Sequence, residues 1–414
     1  MLLIERHIIK PKDSRYEGLL DYLHKSKNLY NAALYVVRQH FFANQDNKDC
    51  FLNYYRVDKM FKETKNPDYY ALPIDCSQQV LKQVHKQLKS FFALLRLKGK
   101  GQYDMPVRLP KYMPKNGYNV LTINAVKLGK RLRTEGVATI PNIKLEFSNI
   151  IHYKTCQQIR FVPKNGYIEM EVIYKADNKP LKDDNKRYMS IDLGINNLCA
   201  ISSNVMQAQL ISGKLIKSIN HEWNKRVAFL QSKLKNQYTS HLITKITNRR
   251  NLRIRQCFHK ISKYIVNQAV DNQINTIIIG HTKGWKQETN IGKANNQNFV
   301  QIPFNLLIQM ISYKAQLQGI NVRIQEESYT SKASFFDNDV IPVFNEDDKT
   351  EYAFSGKRVK RGIYRTKNGL RINSDVNGSL NILRKYLKCN SDDLIDPADI
   401  GCVVNPMKVI LTYS

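Results

Sequence analysis

Ser190-Ile-Asp-Leu-Gly-Ile-Asn-Asn197 and Ile372-Asn-Ser-Asp-Val-Asn-Gly-Ser-Leu-Asn381 are the two stretches that decide the fold. Each presents an aspartate, Asp192 or Asp375, where a predicted strand gives way to a turn or a helix. Carboxylates are the ligands that magnesium prefers in proteins. Two magnesium ions can activate water and stabilise the departing oxygen when a phosphodiester is cleaved. The two stretches therefore predict a metal-dependent site on a strand-and-helix scaffold.

The gap in this pattern is Gly280. It follows the apolar run Thr276-Ile-Ile-Ile279, which predicts a buried strand, and a third acidic residue at its position would complete the site. Asp375 also has a simpler explanation, because an acidic residue at a helix N-terminus can act as an N-cap. The two aspartates alone therefore leave open whether the chain is an active enzyme.

The charge of the chain predicts a polyanionic partner. Its 414 residues carry 65 Lys and Arg against 35 Asp and Glu, a formal net charge of +30. Such an excess repels itself in the folded state, and binding to nucleic acid is the usual reason for it. A basic structural protein without catalysis is the alternative. There is no run of eighteen apolar residues and Met1–Arg6 turns charged early, so we expect no membrane partner and a cytoplasmic, or nucleoid-associated, location.

The seven cysteines are scattered and include no C-x-x-C pair. This spacing argues against a disulfide framework and against a structural zinc site. Magnesium, and not zinc, is therefore the expected metal.

The order of predicted elements indicates an α+β multidomain protein. Short β-type runs between about 100 and 180, with the Asn-Gly turn of a hairpin at 165–166, predict a small antiparallel β domain. The strand at residues 2–9 would complete it, which makes the helical region an insertion. Strands and then alternating helices and strands predict a mixed sheet in the last part. The predicted boundaries are 1–12 and 99–185 for the β domain, 13–98 for the helical insertion, 186–389 for the α/β domain with a helical stretch at about 221–270, and 390–414 for a tail.

A basic helical segment lies inside the predicted α/β domain. His221–Lys263 holds eleven Lys and Arg and a single acid, Glu222. One-sided charge of this kind fits a lid that follows a nucleic-acid backbone, although a solvated helix face is the plainer interpretation. The residues expected to contact nucleic acid are Arg249, Arg250 and Arg253 in this segment, and Lys286, Arg358 and Arg361 beyond it.

Six motifs carry a resemblance to a known family. They are IDLGINN (191–197), IIIGHTKGWK (277–286), NNQNFVQIPF (295–304), EESYTS (326–331), GKRVKRG (356–362) and NSDVNGSLNIL (373–383). In this order they resemble the TnpB (OrfB) family of transposon-encoded RNA-guided nucleases, relatives of Fanzor proteins and type V CRISPR effectors. The resemblance spans about 186–388. It implies a β wedge domain with a helical recognition insertion, a ribonuclease H-like RuvC domain, and Asp192 and Asp375 as first and last catalytic carboxylates.

The chain departs from the common family pattern in two places. The usual glutamate after the fourth strand is Gly280, and Tyr329–Ile372, where a zinc ribbon is expected, contains no cysteine. Some family members resemble this chain in carrying the glutamate on the next strand, which would be Glu326 or Glu327. Neighbouring strands lie about 4.8 Å apart, so a glutamate there could reach the vacated space. Strand alternation sends the two side chains to opposite faces, and Glu327 has the better spacing to the following Thr-Ser. Both could instead be solvated residues at a strand end.

The resemblance implies an RNA-guided DNA endonuclease. Its expected partners are a guide RNA and target double-stranded DNA, with cleavage beside a short flanking motif. Asp192, Glu327 and Asp375, with Glu326 as the other candidate, would hold two magnesium ions. A nuclease-inactive, guide-RNA-directed DNA-binding repressor is the alternative that Gly280 raises. The residues expected to read the flanking motif are Gln78, Gln79 and Lys82. The oligomeric state stays open.

Overall fold

The computed structural model contains two compact units, Met1–Asp177 and Asn178–Ser414. It describes residues 1–44, 51–140, 145–235, 238–282, 300–345, 350–389, 391, 393–394 and 400–411. Within these residues, no helix combines the length and the apolar composition that crossing a bilayer requires.

The first unit joins an antiparallel sheet to a group of helices. Its elements are β1 (Leu2–Ile9), α1 (Tyr16–Ala43), α2 (Tyr54–Glu63), α3 (Pro67–Tyr70), α4 (Ile74–Gly99), β2 (Leu121–Asn124), α5 (Lys130–Glu135), β3 (Ala138–Thr139), β4 (Glu146–Phe147), β5 (Cys156–Lys164) and β6 (Tyr167–Lys175). The sheet order is β1-β6-β5-β2, and every pair in it is antiparallel. Since β1 pairs with β6, the helices from α1 to α4 are inserted between two strands of one sheet.

The apolar face of α1 forms part of the first unit's core. Leu19, Leu23, Tyr30, Leu34 and Val37 are all buried, as the three- and four-residue spacing predicts. Their burial fixes α1 against the other helices and against the inner face of the sheet. The helix α1 therefore lies within the helical insertion that the sequence predicts, and it is amphipathic.

The second unit is built on a six-stranded mixed sheet. Its elements are β7 (Tyr188–Leu193), β8 (Asn197–Ser203), β9 (Gln209–Ser212), α6 (Lys214–Gln231), α7 (His241–Asp271), β10 (Thr276–Gly280), α8 (Phe304–Leu317), β11 (Asn321–Gln325), β12 (Lys357–Lys360), β13 (Ile363–Arg365), β14 (Arg371–Asn373), α9 (Ser374–Leu387), α10 (Ile400–Val404) and β15 (Met407–Val409). The order is β11-β10-β7-β8-β9-β15, with β11, β10 and β7 mutually parallel. The mixed α/β sheet that the sequence predicts is confirmed.

The two faces of this sheet have different cores. One face packs on α6, α7 and α8 through residues such as Ile191, Ile279 and Phe258. The other packs on α9 through residues such as Ile278 and Leu380. Side chains that alternate along a strand point to opposite faces, so the residues next to Ile191 and Ile279 face α9.

The structure differs from the predicted elements in two respects. The helical stretch expected at 221–270 begins earlier and consists of two helices, α6 and α7, that pack against each other. The tail predicted at 390–414 includes β15, which pairs with β9 and extends the main sheet. A three-residue strand has too few positions for a periodic pattern, and only its neighbour β9 identifies it.

Candidate metal-binding carboxylate site

Asp192 lies near the carboxyl end of β7, on the face that packs against α9. The register pairs Ile191 with Ile279, so Asp192 stands beside Gly280 one residue further along. A Cβ added to Gly378 of α9 would lie only 2.8 Å from Oδ2 of Asp192. The absence of a side chain at Gly378 therefore lets the helix backbone approach the carboxylate.

The surroundings of Asp192 disfavour its negative charge. Removal from water raises the pKa of Asp192 well above its usual value, and the charges of Glu327 and Asp375 raise it further. The guanidinium of Arg358 acts in the opposite direction. The charges of Glu327 and Asp375 thus raise the free energy of ionising Asp192.

Glu327 lies in the space that a side chain at position 280 would need. Gly280 pairs with Gln325 at the end of β11, and Glu327 follows two residues later. A Cβ added to Gly280 would lie 2.9 Å from Oε2 of Glu327 and would collide with the side chain of Ile382. Burial raises the pKa of Glu327 to about 7, and the neighbouring Glu326 adds to the shift. Within the described residues, Oε1 of Glu327 is buried and has no hydrogen-bond partner.

Glu326 has a different environment. Its Oε2 accepts a hydrogen bond from Nζ of Lys385 at 2.5 Å, and its Oε1 accepts one from the backbone N–H of Ser328 at 2.6 Å. Burial alone would raise the pKa of Glu326, but the hydrogen bonds from Lys385 and Ser328 hold it below its usual value. Glu326 is therefore neutralised by an ion pair, whereas Glu327 has Oε2 beside Gly280 and an unpartnered Oε1.

Asp375 lies in the first turn of α9 and is not the N-cap of that helix. The side chain of Asn373 caps it, because its Oδ1 accepts hydrogen bonds from the backbone N–H groups of Asp375 and Val376. The carboxylate of Asp375 does not cap the helix, and it accepts a hydrogen bond from Nδ2 of Asn197 at 2.8 Å. Arg358 lies 3.8 Å from its other oxygen. The N-cap explanation of Asp375 is therefore wrong.

These residues fit magnesium in chemistry but do not form a closed cage. In the described parts of the chain, no three His, Cys, Asp or Glu side chains are drawn together closely enough to hold a metal ion as they stand. The coupled carboxylates nevertheless supply hard oxygen donors, and Oε1 of Glu327 is a buried acceptor without a donor.

The two glutamates predict opposite dependences of stability on pH in metal-free buffer. The raised pKa of Glu327 stabilises the folded state below the unfolded pKa of 4.5, and this stabilisation is lost as the pH rises through about 7. Between pH 5 and pH 8, we expect the free energy of unfolding of Glu327→Gln to rise by roughly 2 kcal/mol relative to that of wild type. Glu326→Gln should instead lose stability at pH 8, because a lowered pKa stabilises the fold above the unfolded value. Urea unfolding with EDTA at both pH values measures this, and equal responses of the two variants would contradict it.

Of the arginines predicted to bind nucleic acid in α7, Arg249 is exposed and Arg250 is not. The guanidinium of Arg250 donates hydrogen bonds to Oδ1 of Asn220 and to the backbone carbonyl of Gln301, and it stacks on Trp223. Burial lowers its pKa. Arg250 thus connects α6 with α7 in this chain, and its contact with nucleic acid stays a prediction.

The other predicted contacts are dispersed. Arg253 pairs with Glu222, and Arg361 is exposed between β12 and β13. Nζ of Lys82 lies 5.0 Å from the ring centre of Tyr54. Gln78 and Gln79 share the first turns of α4 with Lys82, and all three are partly exposed. Lys286 lies outside the described residues.

Sequence reasoning missed Gly378, Asn197 and Lys385 as neighbours of the carboxylates. A signal existed for Gly378, because glycine inside a helix costs about 1 kcal/mol relative to alanine and so suggests a close approach. Asn197 and Lys385 carried no such signal, since their partners are distant in the chain.

Two family models and two TnpB-like proteins are similar to this chain. The family model OrfB_IS605, a probable transposase, matches residues 169–286, and the Cas12f1-like TNB domain matches residues 304–382. TnpB-like protein ORF457 of Acidianus two-tailed virus is 24% identical over 429 residues, which cover 94% of this chain and 84% of that protein. TnpB-like protein MJ0751 of Methanocaldococcus jannaschii is 23% identical over 244 residues, covering 49% and 86%.

Two solved structures that resemble this chain are complexes with RNA. A Cas12f1–sgRNA–target DNA complex matches with a TM-score of 0.35 at 13% identity, over 92% of this chain and 98% of that one. CasPhi-2 (Cas12j) bound to crRNA matches with a TM-score of 0.38 at 10% identity, over 94% and 98%.

Proposed function

Since this chain is a TnpB family member, we propose that it is an RNA-guided DNA endonuclease of a transposon. It binds a guide RNA, pairs it with target double-stranded DNA beside a short flanking motif, and cleaves the matched DNA by magnesium-dependent hydrolysis. The observation that carries the proposal is the place of Glu327, whose carboxylate fills the space beside Gly280 and is coupled to Asp192.

In this proposal the two units have the family's layout. The sheet of the first unit is the wedge domain, and the helices inserted after β1 are the recognition domain. The second unit is the ribonuclease H-like RuvC domain, with α6 and α7 as its lid and without a zinc ribbon. The ribbon's absence rests on the sequence from Tyr329 to Ile372, which has no cysteine to ligate zinc.

The residues of the site have separate tasks in cleavage. Asp192, Glu327 and Asp375 would hold two magnesium ions, which supply activation of water and stabilisation of the leaving oxygen. Asn197 orients the carboxylate of Asp375 through its 2.8 Å hydrogen bond. Arg358, with more than half of its side chain exposed, is placed beside Asp375 to bind a phosphate of the DNA strand.

The alternative function is a nuclease-inactive, guide-RNA-directed repressor, which Gly280 favours because it lacks the usual carboxylate. The experiment that separates the two begins with the RNA that co-purifies with the full chain. After that RNA is sequenced, DNA matched to its guide is incubated with the complex in magnesium or in EDTA. Magnesium-dependent cleavage of matched DNA supports the endonuclease, and specific binding without cleavage overturns it.

Gly378 provides a prediction about the space around Asp192. Gly378→Ala should reduce cleavage by about 10- to 100-fold, because its Cβ would displace the Asp192 carboxylate. The matched control is Gly18→Ala in α1, where the added Cβ would lie at an ordinary 3.5 Å from Leu145. Alanine favours a helix more than glycine does in both variants, so helix propensity cannot explain a difference between them. Single-turnover cleavage rates, compared at equal guide RNA binding, therefore measure the effect on the site. Full activity of the Gly378 variant would contradict the proposed place of Asp192.

A further inference from the structure

The segment that carries Glu327 has no regular secondary structure after β11 ends. Residues 328–332 and 335–338 form turns, and Tyr329 has a positive φ of 66°. Such a backbone conformation is unfavourable for a large side chain and persists only when surrounding contacts hold it. The position of Glu327 must therefore be fixed by contacts from outside its own segment.

Two buried asparagines of α9 provide these contacts. Nδ2 of Asn381 donates to the backbone carbonyls of Thr330 at 2.9 Å and Ala333 at 2.7 Å. Asn377, one turn earlier, donates to the same carbonyl of Ala333 at 2.8 Å and accepts from the backbone N–H of Phe335 at 3.1 Å. Neither asparagine is exposed to solvent. Together they replace the backbone partners that a strand or helix would give this segment.

Thr330 links the asparagines to Glu327. Its backbone N–H and its hydroxyl both donate to the carbonyl oxygen of Glu327, at 3.2 Å and 2.7 Å. Its own carbonyl accepts the hydrogen bond from Asn381. The backbone of Glu327 is thus one residue removed from the helix that also carries Asp375.

The hydrogen bonding of Asn381 shows which of its groups matters. Its amide nitrogen serves two carbonyls, while its Oδ1 is buried and has no partner among the described residues. Leaving a buried acceptor without a donor is unfavourable, so this oxygen does not explain why an asparagine stands here. The structural role of Asn381 therefore lies in its two N–H donors and not in the volume of its side chain.

We infer that Asn381 and Asn377 are positioning residues, which fix the Glu327 segment to α9 so that Glu327 and Asp375 are held in one geometry. This inference rests on the proposed function, because it assigns both carboxylates to magnesium. Asn381 acts on Glu327 through a single residue, whereas Asn377 holds the segment at Ala333 and Phe335, further along the chain. Loss of Asn381 therefore disturbs Glu327 more than loss of Asn377 does.

The test compares three alanine variants of the full chain with bound guide RNA. Asn381→Ala should raise the magnesium concentration for half-maximal cleavage by about 10-fold or more, as loss of an outer-shell partner does. Asn377→Ala should raise it less. The matched control is Asn119→Ala in the first unit, a buried asparagine that exchanges amide hydrogen bonds with Gln83. It should lose stability without any change in the magnesium requirement.

A second substitution and a second measurement separate positioning from packing. Asn381→Leu keeps the volume but has no donors, so it should behave like Asn381→Ala; a wild-type magnesium requirement would overturn the inference. Without substrate, the shift in the thermal unfolding midpoint on adding magnesium should also shrink in both Asn381 variants. If wild type shows the shift and the Asn381 variants match it, the inference alone fails. If wild type shows neither shift nor cleavage, the proposed function fails with it.

Discussion

Glu327→Gln is expected to reduce cleavage of guide-matched DNA by at least about 100-fold while guide RNA and target DNA binding stay intact. Removing a residue that only hydrogen-bonds to a metal ligand typically lowers activity by about 10- to 100-fold. The loss of cleavage should be larger here, because Glu327 is itself the proposed ligand and the substitution removes its charge. Glutamine keeps the shape of the side chain beside Gly280 and removes only its charge. Single-turnover cleavage and filter binding measure the two effects separately.

The matched control for this prediction is the adjacent residue. Glu326→Gln removes a carboxylate that is bound to Lys385 and Ser328, so its cleavage rate should stay within a few-fold of wild type. If the Glu326 variant is inactive and the Glu327 variant is active, the assignment of the site is reversed. If both variants cleave normally, the nuclease site does not use a relocated glutamate.

Asp192→Asn is expected to abolish cleavage and the stabilisation of the protein by magnesium. The free energy of unfolding of wild type should rise by about 2.7 kcal/mol at a magnesium concentration 100 times the dissociation constant, and that of the variant should not change. In EDTA the variant should be at least as stable as wild type, because the fold disfavours the charge of Asp192. Urea unfolding with and without magnesium measures both effects.

The control for Asp192→Asn is an aspartate outside the site. Asp58→Asn in α2 removes a carboxylate that binds Lys62 and the hydroxyl of Tyr69. It should lower stability in EDTA and keep the full gain from magnesium. An Asp192 variant that is stabilised by magnesium as strongly as wild type would contradict its role as a ligand.

The main elements of the second unit could be predicted because their patterns are local. The strands β7 and β11 and the helix α8 lie in the part of the chain where the sequence predicts strands that alternate with helices. Each has an apolar pattern long enough to reveal its period. The short strands β12, β13, β14 and β15 were not predicted, since three or four residues cannot show a period and their partners define them.

The sequence by itself determined that Asp192 and Asp375 flank the ends of regular elements and that a glutamate pair follows the strand next to Gly280. Alternation along a strand predicted different surroundings for Glu326 and Glu327, although β11 ends one residue before them, at Gln325. Only the tertiary structure decided which of them lies at the site. That choice depends on Lys385, 59 residues away from Glu326, and on the register that places Gln325 beside Gly280. Partners that are distant in the chain are brought together by packing, and no local pattern encodes their distance.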